Sequence, residues 1–162
     1  MKINAALSAH SPQARLWFYN IPRELTPEEV LSFESLRAKF LTDWNTHGKA
    51  NHGDVFLIEN RLLMVVGWND FESISGCSID KSVALIRQLG AMFQLDLMDR
   101  MWVYFQKDGE WKQAKIHQFW AMRKANEVTD DTLILDTTIS TYSQMDQMVK
   151  TLGSSWHAQM WK

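Results

Sequence analysis

The sequence predicts a mixed α+β protein, in which a ferredoxin-like βαββαβ sandwich is followed by a C-terminal strand/helix extension. Segments of strand-type residues alternate with segments whose apolar residues recur every three or four positions. The order along the chain is strand, helix, strand, strand, helix, strand. Turn residues separate two of the adjacent strand pairs, as they do in β-hairpins.

The length of 162 residues fits one domain with an ordinary hydrophobic core. We therefore expect a single α+β domain over residues 1–162, with residues 1–14 as a flexible N-terminal arm. Apolar residues make up 46% of the chain and aromatic residues 12%, which indicates a packed globule rather than a disordered chain.

The first strand and helix have the clearest local signals. "RLWFYNI", from Arg15 to Ile21, is rich in strand formers. Thr26 and Glu29 have the spacing of a capping box, and Pro27 between them suits the first turn of a helix. Apolar residues then recur with helical spacing as far as Trp44, and Gly48 follows as a helix stop.

A loop, a hairpin and a second helix are expected next. The loop is "NTHGKANHGD", and the hairpin joins "DVFLI" to "RLLMVVGW" across Glu59 and Asn60. Both of these strands look buried on both faces because their apolar runs do not alternate with polar residues. The second helix is expected to have Ser78 as its N-cap and to continue to Phe93.

The remaining segments predict a hairpin, a short helix, a strand and a final helix. Asp108-Gly109 is the best hairpin signal in the chain. The short helix is predicted over Phe119 to Val128, and the strand is "TLILDTTIS". The segment "TYSQMDQMVKTLG" has apolar residues at helical spacing and predicts an amphipathic helix that stops at Gly153.

Charge and composition exclude several classes of protein. A net charge of -2 provides no general attraction to nucleic acid or anionic membranes. No window approaches 18 uninterrupted apolar residues, so no membrane span is expected. The N-terminus lacks the apolar core of a signal peptide, and the single cysteine cannot form an internal disulfide. These features favour a cytoplasmic location.

The stretch "SISGCSIDKS" provides the best candidate site, because it precedes an apolar helical pattern. The first backbone amides of a helix have no intrahelical acceptor, and the helix dipole makes that end locally positive. A carboxylate or phosphate is therefore the expected small anionic ligand. The predicted ligand-binding residues are Ser75, Gly76, Ser78, Lys81 and Ser82. No cofactor is indicated.

The leading functional hypothesis is a non-catalytic binding or regulatory module with this anion site. The alternative is a thiol-dependent enzyme, with Cys77 as the nucleophile and a histidine as the base. The helix dipole would favour the thiolate form of Cys77. Of the histidines, His157 is the preferred partner.

"SGCSIDKSV" resembles a family of small uncharacterised bacterial proteins, some of which are labelled "ABC transporter ATPase". "RLWFY", "LTPEEV" and "SSWH" continue the resemblance in order. It implies a shared fold, and the "SSWH" piece is the reason for preferring His157. The ATPase label has no support in these residues, because a P-loop requires glycine where Asp80 stands before Lys81.

The sequence also bears on three further properties: metal binding, nucleic-acid binding and dimerisation. The predicted loop contains His47, His52 and Asp54, which lack the spacing of zinc ligands, so no metal site is predicted.

The first strand and helix look like those of an RNA-recognition motif, but "RLLMVVGW" lacks that module's basic-glycine start and early aromatics. Nucleic acid is therefore not an expected partner.

A homodimer is a further hypothesis. It would form through an open sheet edge or through the apolar tail of Trp156, Met160 and Trp161.

Overall fold

The computed structural model describes the backbone of residues 11–161 and the side chains of residues 11–160. The predicted mixed α+β class is confirmed, since helices accompany antiparallel sheets. The chain forms two compact units. One runs to Asp99 and includes Ser140–Ser143, and the other contains Arg100–Ile139 and the residues from Gln144 onward. Of the predicted N-terminal arm, residues 1–10 lie outside the described residues.

The first unit contains one three-stranded sheet, one small hairpin and two helices. Its elements are β1 (Arg15–Asn20), α1 (Pro27–Asp43), β2 (Asn45–Thr46), β3 (Lys49–Ala50), β4 (His52–Ile58), β5 (Leu62–Trp68) and α2 (Gly76–Phe93). The sheet order is β1-β5-β4, and both pairings are antiparallel. The small hairpin consists of β2 and β3.

The predicted ferredoxin-like topology is wrong beyond its third strand. The order β1-β5-β4 is the one that this topology requires of its first three strands. The expected fourth strand, Trp102–Lys107, pairs instead within a separate four-stranded sheet. The edge of β1 meets a short segment from later in the chain, through an antiparallel bridge from Arg15 to Thr141. The Leu16 amide also donates to the Ser140 carbonyl at 2.9 Å.

Helix α1 begins as predicted and ends earlier than predicted. The Thr26 hydroxyl accepts from the Glu29 amide, and the Glu29 carboxylate accepts from the Thr26 amide, which completes the capping box. The helix ends at Asp43 rather than near Gly48. Trp44 takes an extended conformation there and is only 2% exposed, so burial of its ring accompanies the end of the helix.

The hairpin of β4 and β5 is confirmed, but the two strands are buried to different degrees. Ile58 pairs with Leu62, and Glu59 and Asn60 in the turn have positive φ. Strand β5 is buried on both faces as predicted, whereas β4 is partly exposed. The core of this unit also contains large side chains from both helices, including Phe33, Ile86 and Leu89.

The second unit contains a four-stranded antiparallel sheet and short helical segments. Its regular elements are β6 (Trp102–Lys107), β7 (Glu110–Lys115), α3 (Ile116–Lys124), β8 (Leu133–Leu135) and β9 (Val149–Thr151). The sheet order is β7-β6-β8-β9. Asp108 and Gly109 both have positive φ, which gives the primed turn predicted for the β6-β7 hairpin. Phe105, Phe119 and Ile134 lie in the core of this unit.

Two predicted helices differ in the structure. Helix α3 begins three residues earlier than expected, and its last helical residue is Lys124. The predicted amphipathic helix after Thr141 is replaced by a 3₁₀ helix (Tyr142–Gln147), strand β9 and a 3₁₀ turn (Leu152–Ser154). Strand β9 pairs with β8, so its backbone hydrogen bonds go to the sheet. A last 3₁₀ helix spans Trp156–Trp161.

Within residues 11–161, none of the helices has the length and apolar character needed to cross a bilayer.

Candidate functional site

Helix α2 begins at Gly76, with Ser75 as its N-cap. The Ser75 backbone is extended, at φ -68° and ψ 157°, and its hydroxyl accepts from the Ser78 amide at 3.2 Å. The first intrahelical bond runs from the Ile79 amide to the Ser75 carbonyl, at 3.0 Å. The prediction that Ser78 is the cap is therefore wrong by three residues, and Ser78 instead occupies the third helical position.

Two of the five predicted ligand residues are buried. Ser78 and Ser82 are both 0% exposed. The Ser78 hydroxyl donates to the Asn45 carbonyl and lies 2.9 Å from the Thr46 hydroxyl. The Ser82 hydroxyl donates to the Ile79 carbonyl at 2.7 Å. These contacts hold α2 in place, and neither hydroxyl faces a ligand approaching from solvent.

Gly76, Cys77 and Lys81 remain exposed at the start of α2. Among the described residues, the Gly76 and Cys77 amides have no hydrogen-bond acceptor, as expected for the first two positions of a helix. A Cβ atom built on Gly76 meets nothing within 4 Å, so the space around it is open. No acidic residue lies in this first turn, although Asp80 is exposed in the next one.

A groove between α1 and α2 lies directly beside this helix start. The Trp44 indole N–H donates to the Ser78 carbonyl at 2.9 Å, which places the end of α1 against the first turn of α2. The groove has a volume of about 270 Å³. Its lining residues are Leu36, Lys39, Phe40, Asp43, Trp44, Lys81, Ala84, Leu85 and Gln88. Lys81 is thus shared by the helix start and the groove.

Lys81 was predicted from the sequence, whereas Lys39 and Asp43, which line the same groove, were not. Lys39 and Asp43 are four residues apart on α1, and Lys81, Ala84 and Gln88 share one side of α2. This spacing was visible in the sequence. That the two helices face each other along these sides is a tertiary feature.

The two predicted catalytic residues belong to different units. Cys77 is exposed in the first unit. His157 is 4% exposed in the second unit, with its ring stacked on Trp156 at a centroid distance of 3.9 Å. Its Nδ1 atom lies 3.3 Å from the Ser155 hydroxyl. Burial lowers the pKa of His157 to about 4, and the charge of Asp136 opposes part of that shift. Use of His157 as a base for Cys77 stays a prediction.

Both histidines of the predicted loop contact carboxylates, although His52 lies in strand β4 rather than in a loop. His47 Nδ1 lies 3.1 Å from Glu72, and His52 Nε2 contacts Asp70. Asp54 forms an ion pair with Arg37. Within the part of the chain that the structure describes, no three His, Cys, Asp or Glu side chains cluster closely enough to hold a metal ion.

The apolar tail is partly exposed, as Trp156 retains 43% of its accessible surface. The side chain of Trp161, which belongs to the same hypothesis, lies outside the described side chains. A homodimer through this tail stays a prediction.

Comparison with protein-family models, with curated proteins and with solved structures finds no match. The resemblance carried by "SGCSIDKSV" therefore stays a prediction.

Proposed function

We propose that this protein is a non-catalytic binding module for a small anionic ligand, held around Lys81. The observation that carries the proposal is the position of this lysine. It lies one turn beyond the two free amides of α2 and at the wall of the groove between α1 and α2. In the described part of the chain, Lys81 forms no ion pair. Its ammonium group therefore remains available to an anion.

The chemistry favours an anion for two physical reasons. Amides at a helix N-terminus point their hydrogens outward, and the macrodipole adds positive potential there. A hydrogen bond to a charged group contributes about 1.5–3 kcal/mol net. Because the entropy lost on association offsets most of this gain, we expect weak binding, with a dissociation constant on the order of 1 mM or above.

A thiol-dependent reaction is the second candidate, and the exposure of Cys77 favours it. The thiol lies at the second helical position, beside the amides that would hold the anion. In this alternative the anionic group belongs to a substrate that the thiol attacks. The Cys77→Ser variant separates the two candidates. It keeps the backbone amide, so anion binding should persist, and it removes the nucleophile, so a thiol-dependent reaction should be lost.

Binding of sodium phosphate to the full-length chain tests the proposal, with ¹H–¹⁵N NMR titration as the measurement. Gly76→Pro removes one amide donor and suits the structure, because proline is favoured at the first helical position and Ser75 already has the extended backbone that precedes proline. We expect Gly76→Pro and Lys81→Gln each to weaken binding roughly threefold to tenfold.

Matched variants control for indirect effects. Gly76→Ala keeps the amide and places its Cβ in open space, so binding should stay at the wild-type level. Arg87→Gln removes an exposed charge from the same helix away from the groove and serves as the control for Lys81→Gln. No perturbation by phosphate or acetate in the wild type, or equal binding by Gly76→Pro and Gly76→Ala, contradicts the proposal.

A further inference from the structure

The groove between α1 and α2 has an apolar floor that the fold itself holds in place. Trp44 and Leu85 are 2% and 5% exposed and belong to the core of the first unit. Leu36 and Phe40 pack against that core and remain partly accessible. The Phe40 and Trp44 ring centroids are 5.0 Å apart. The accessible apolar surface of the groove therefore comes mainly from Leu36 and Phe40, which pack against the core that contains Trp44 and Leu85.

The rim of the groove is charged. Lys39 and Lys81 provide two cations from opposite helices, and Asp43 provides one anion. All three side chains are exposed, and in the described part of the chain neither lysine forms an ion pair. The net charge of the lining is therefore positive, which favours a ligand whose polar end is an anion.

The size of the groove decides which kind of ligand fits. Its volume of about 270 Å³ is close to the lower end of the roughly 300–1,000 Å³ typical of small-molecule pockets. It suits a molecule of modest size. A bare phosphate would leave the partly accessible side chains of Leu36 and Phe40 uncovered.

From these features we infer that the ligand is a carboxylate with an apolar body, such as a medium-chain or aromatic acid. The carboxylate contacts Lys39 and Lys81, and the apolar body lies along the floor toward Leu36. This inference deepens the proposed function and rests on it, since both require Lys81 to hold an anion. The new elements are the apolar body and the role of Lys39.

Three probes separate the contributions in NMR titrations of the full-length protein. Octanoate has both the charge and the chain, acetate has the charge alone, and octanamide has the chain without the charge. A chain that buries about 100 Å² of apolar surface contributes enough to tighten binding at least tenfold. We therefore expect octanoate to bind at least tenfold more tightly than either acetate or octanamide.

Substitutions on the rim test the charges. Lys39→Gln should weaken octanoate binding roughly threefold to tenfold and leave phosphate binding unchanged. Asp43→Asn should tighten octanoate binding about threefold, because a repelling carboxylate is removed. Arg87→Gln, on α2 but outside the groove, should change neither. Chemical-shift changes from octanoate should appear at the indole of Trp44.

The outcomes of the two proposals can be told apart. Equal affinity for octanoate and acetate, or octanoate binding unaffected by both Lys39→Gln and Asp43→Asn, overturns this inference and leaves the proposed function standing if phosphate binding depends on Gly76 and Lys81. Absence of binding by phosphate, acetate and octanoate overturns both. Equal affinity for octanoate and octanamide also overturns the inference, because the site would then be apolar only.

Discussion

Ser78 connects the first turn of α2 to the segment that follows α1. Its hydroxyl donates to the Asn45 carbonyl, its amide donates to Ser75, and its carbonyl accepts from the indole of Trp44. The side chain is fully buried. A buried hydroxyl with partners contributes to stability chiefly because its loss leaves those partners unsatisfied.

Replacing this serine should affect stability rather than anion binding. We expect Ser78→Ala to lower the free energy of unfolding by about 1–3 kcal/mol, as urea denaturation would measure. Cys77→Ala, at the exposed neighbouring position, is the control and should change stability by less than about 0.5 kcal/mol. If Ser78→Ala kept full stability but lost phosphate binding, the hydroxyl would be a ligand after all.

The start of α1 shows how an element is stabilised by a few side chains. The two terminal guanidinium nitrogens of Arg23, Nη1 and Nη2, each donate to the Glu29 carboxylate at 2.7 Å. These bonds, followed by that from the Thr26 amide, lower the pKa of Glu29 to about 2. Because the folded state favours the ionised carboxylate, stability is greatest above the unfolded pKa of about 4.3 and falls as pH decreases toward 2.

Glu29→Gln should therefore destabilise the protein near pH 7 and remove part of its acid sensitivity. Solvent screening reduces the effect, since 45% of the Arg23 side chain is accessible, and we expect about 1 kcal/mol. Urea unfolding at pH 7 and pH 3 measures the difference, which should be smaller at pH 3. Glu28→Gln is the matched control in the same turn. An equal loss at both pH values would show that the ion pair is not the cause.

Sequence patterns predicted an element correctly where its conformation depends only on residues within that element. The Asp108-Gly109 turn and the Thr26-Glu29 capping box were both predictable, because positive φ and unpaired helix amides are local requirements. The structure of the segment after Thr141 was not predictable from its own residues. Its apolar spacing fitted a helix, but Val149 and Lys150 pair with β8, and the Lys150 ammonium contacts Asp136 at 2.8 Å. Pairing with a distant strand overrode the local pattern.

At the scale of the whole molecule, the buried imidazole of His157 makes the stability of the fold depend on pH. The folded state holds it neutral, because burial lowers its pKa to about 4. The unfolded chain binds a proton near pH 6.5, so acid favours unfolding. This contribution is absent above about pH 6.5, where both states are neutral, and it destabilises the fold progressively as pH falls from there to 4.

The wild type should lose up to about 3 kcal/mol of stability from this group between pH 7 and pH 4. His157→Gln should flatten that part of the pH profile, whatever its effect at pH 7. His117→Gln, which replaces an exposed histidine of the same unit, is the control. Urea unfolding across this range gives the profiles, and identical slopes for wild type and His157→Gln would contradict the assignment.

The candidate site was predictable in part. A helix start with unpaired amides near Gly76 and Lys81 was predicted from the sequence, although its cap was placed at Ser78 instead of Ser75. The burial of Ser78 and Ser82 was not predicted, because it depends on which side of α2 faces the core. Lys39 joins the site only because α1 packs beside α2, and no spacing within one helix specifies that neighbour.

The sequence by itself determined the mixed α+β class, the capping box of α1 and the hairpin turns, since these depend on residues a few positions apart. The tertiary structure decided that the predicted sandwich is replaced by a three-stranded and a four-stranded sheet in separate units, and that Lys39 and Lys81 line one groove. The physical reason is that strand partners and helix neighbours are selected by packing between distant segments. The spacing of apolar residues predicts which face of an element is buried, but it does not specify which other element packs against that face.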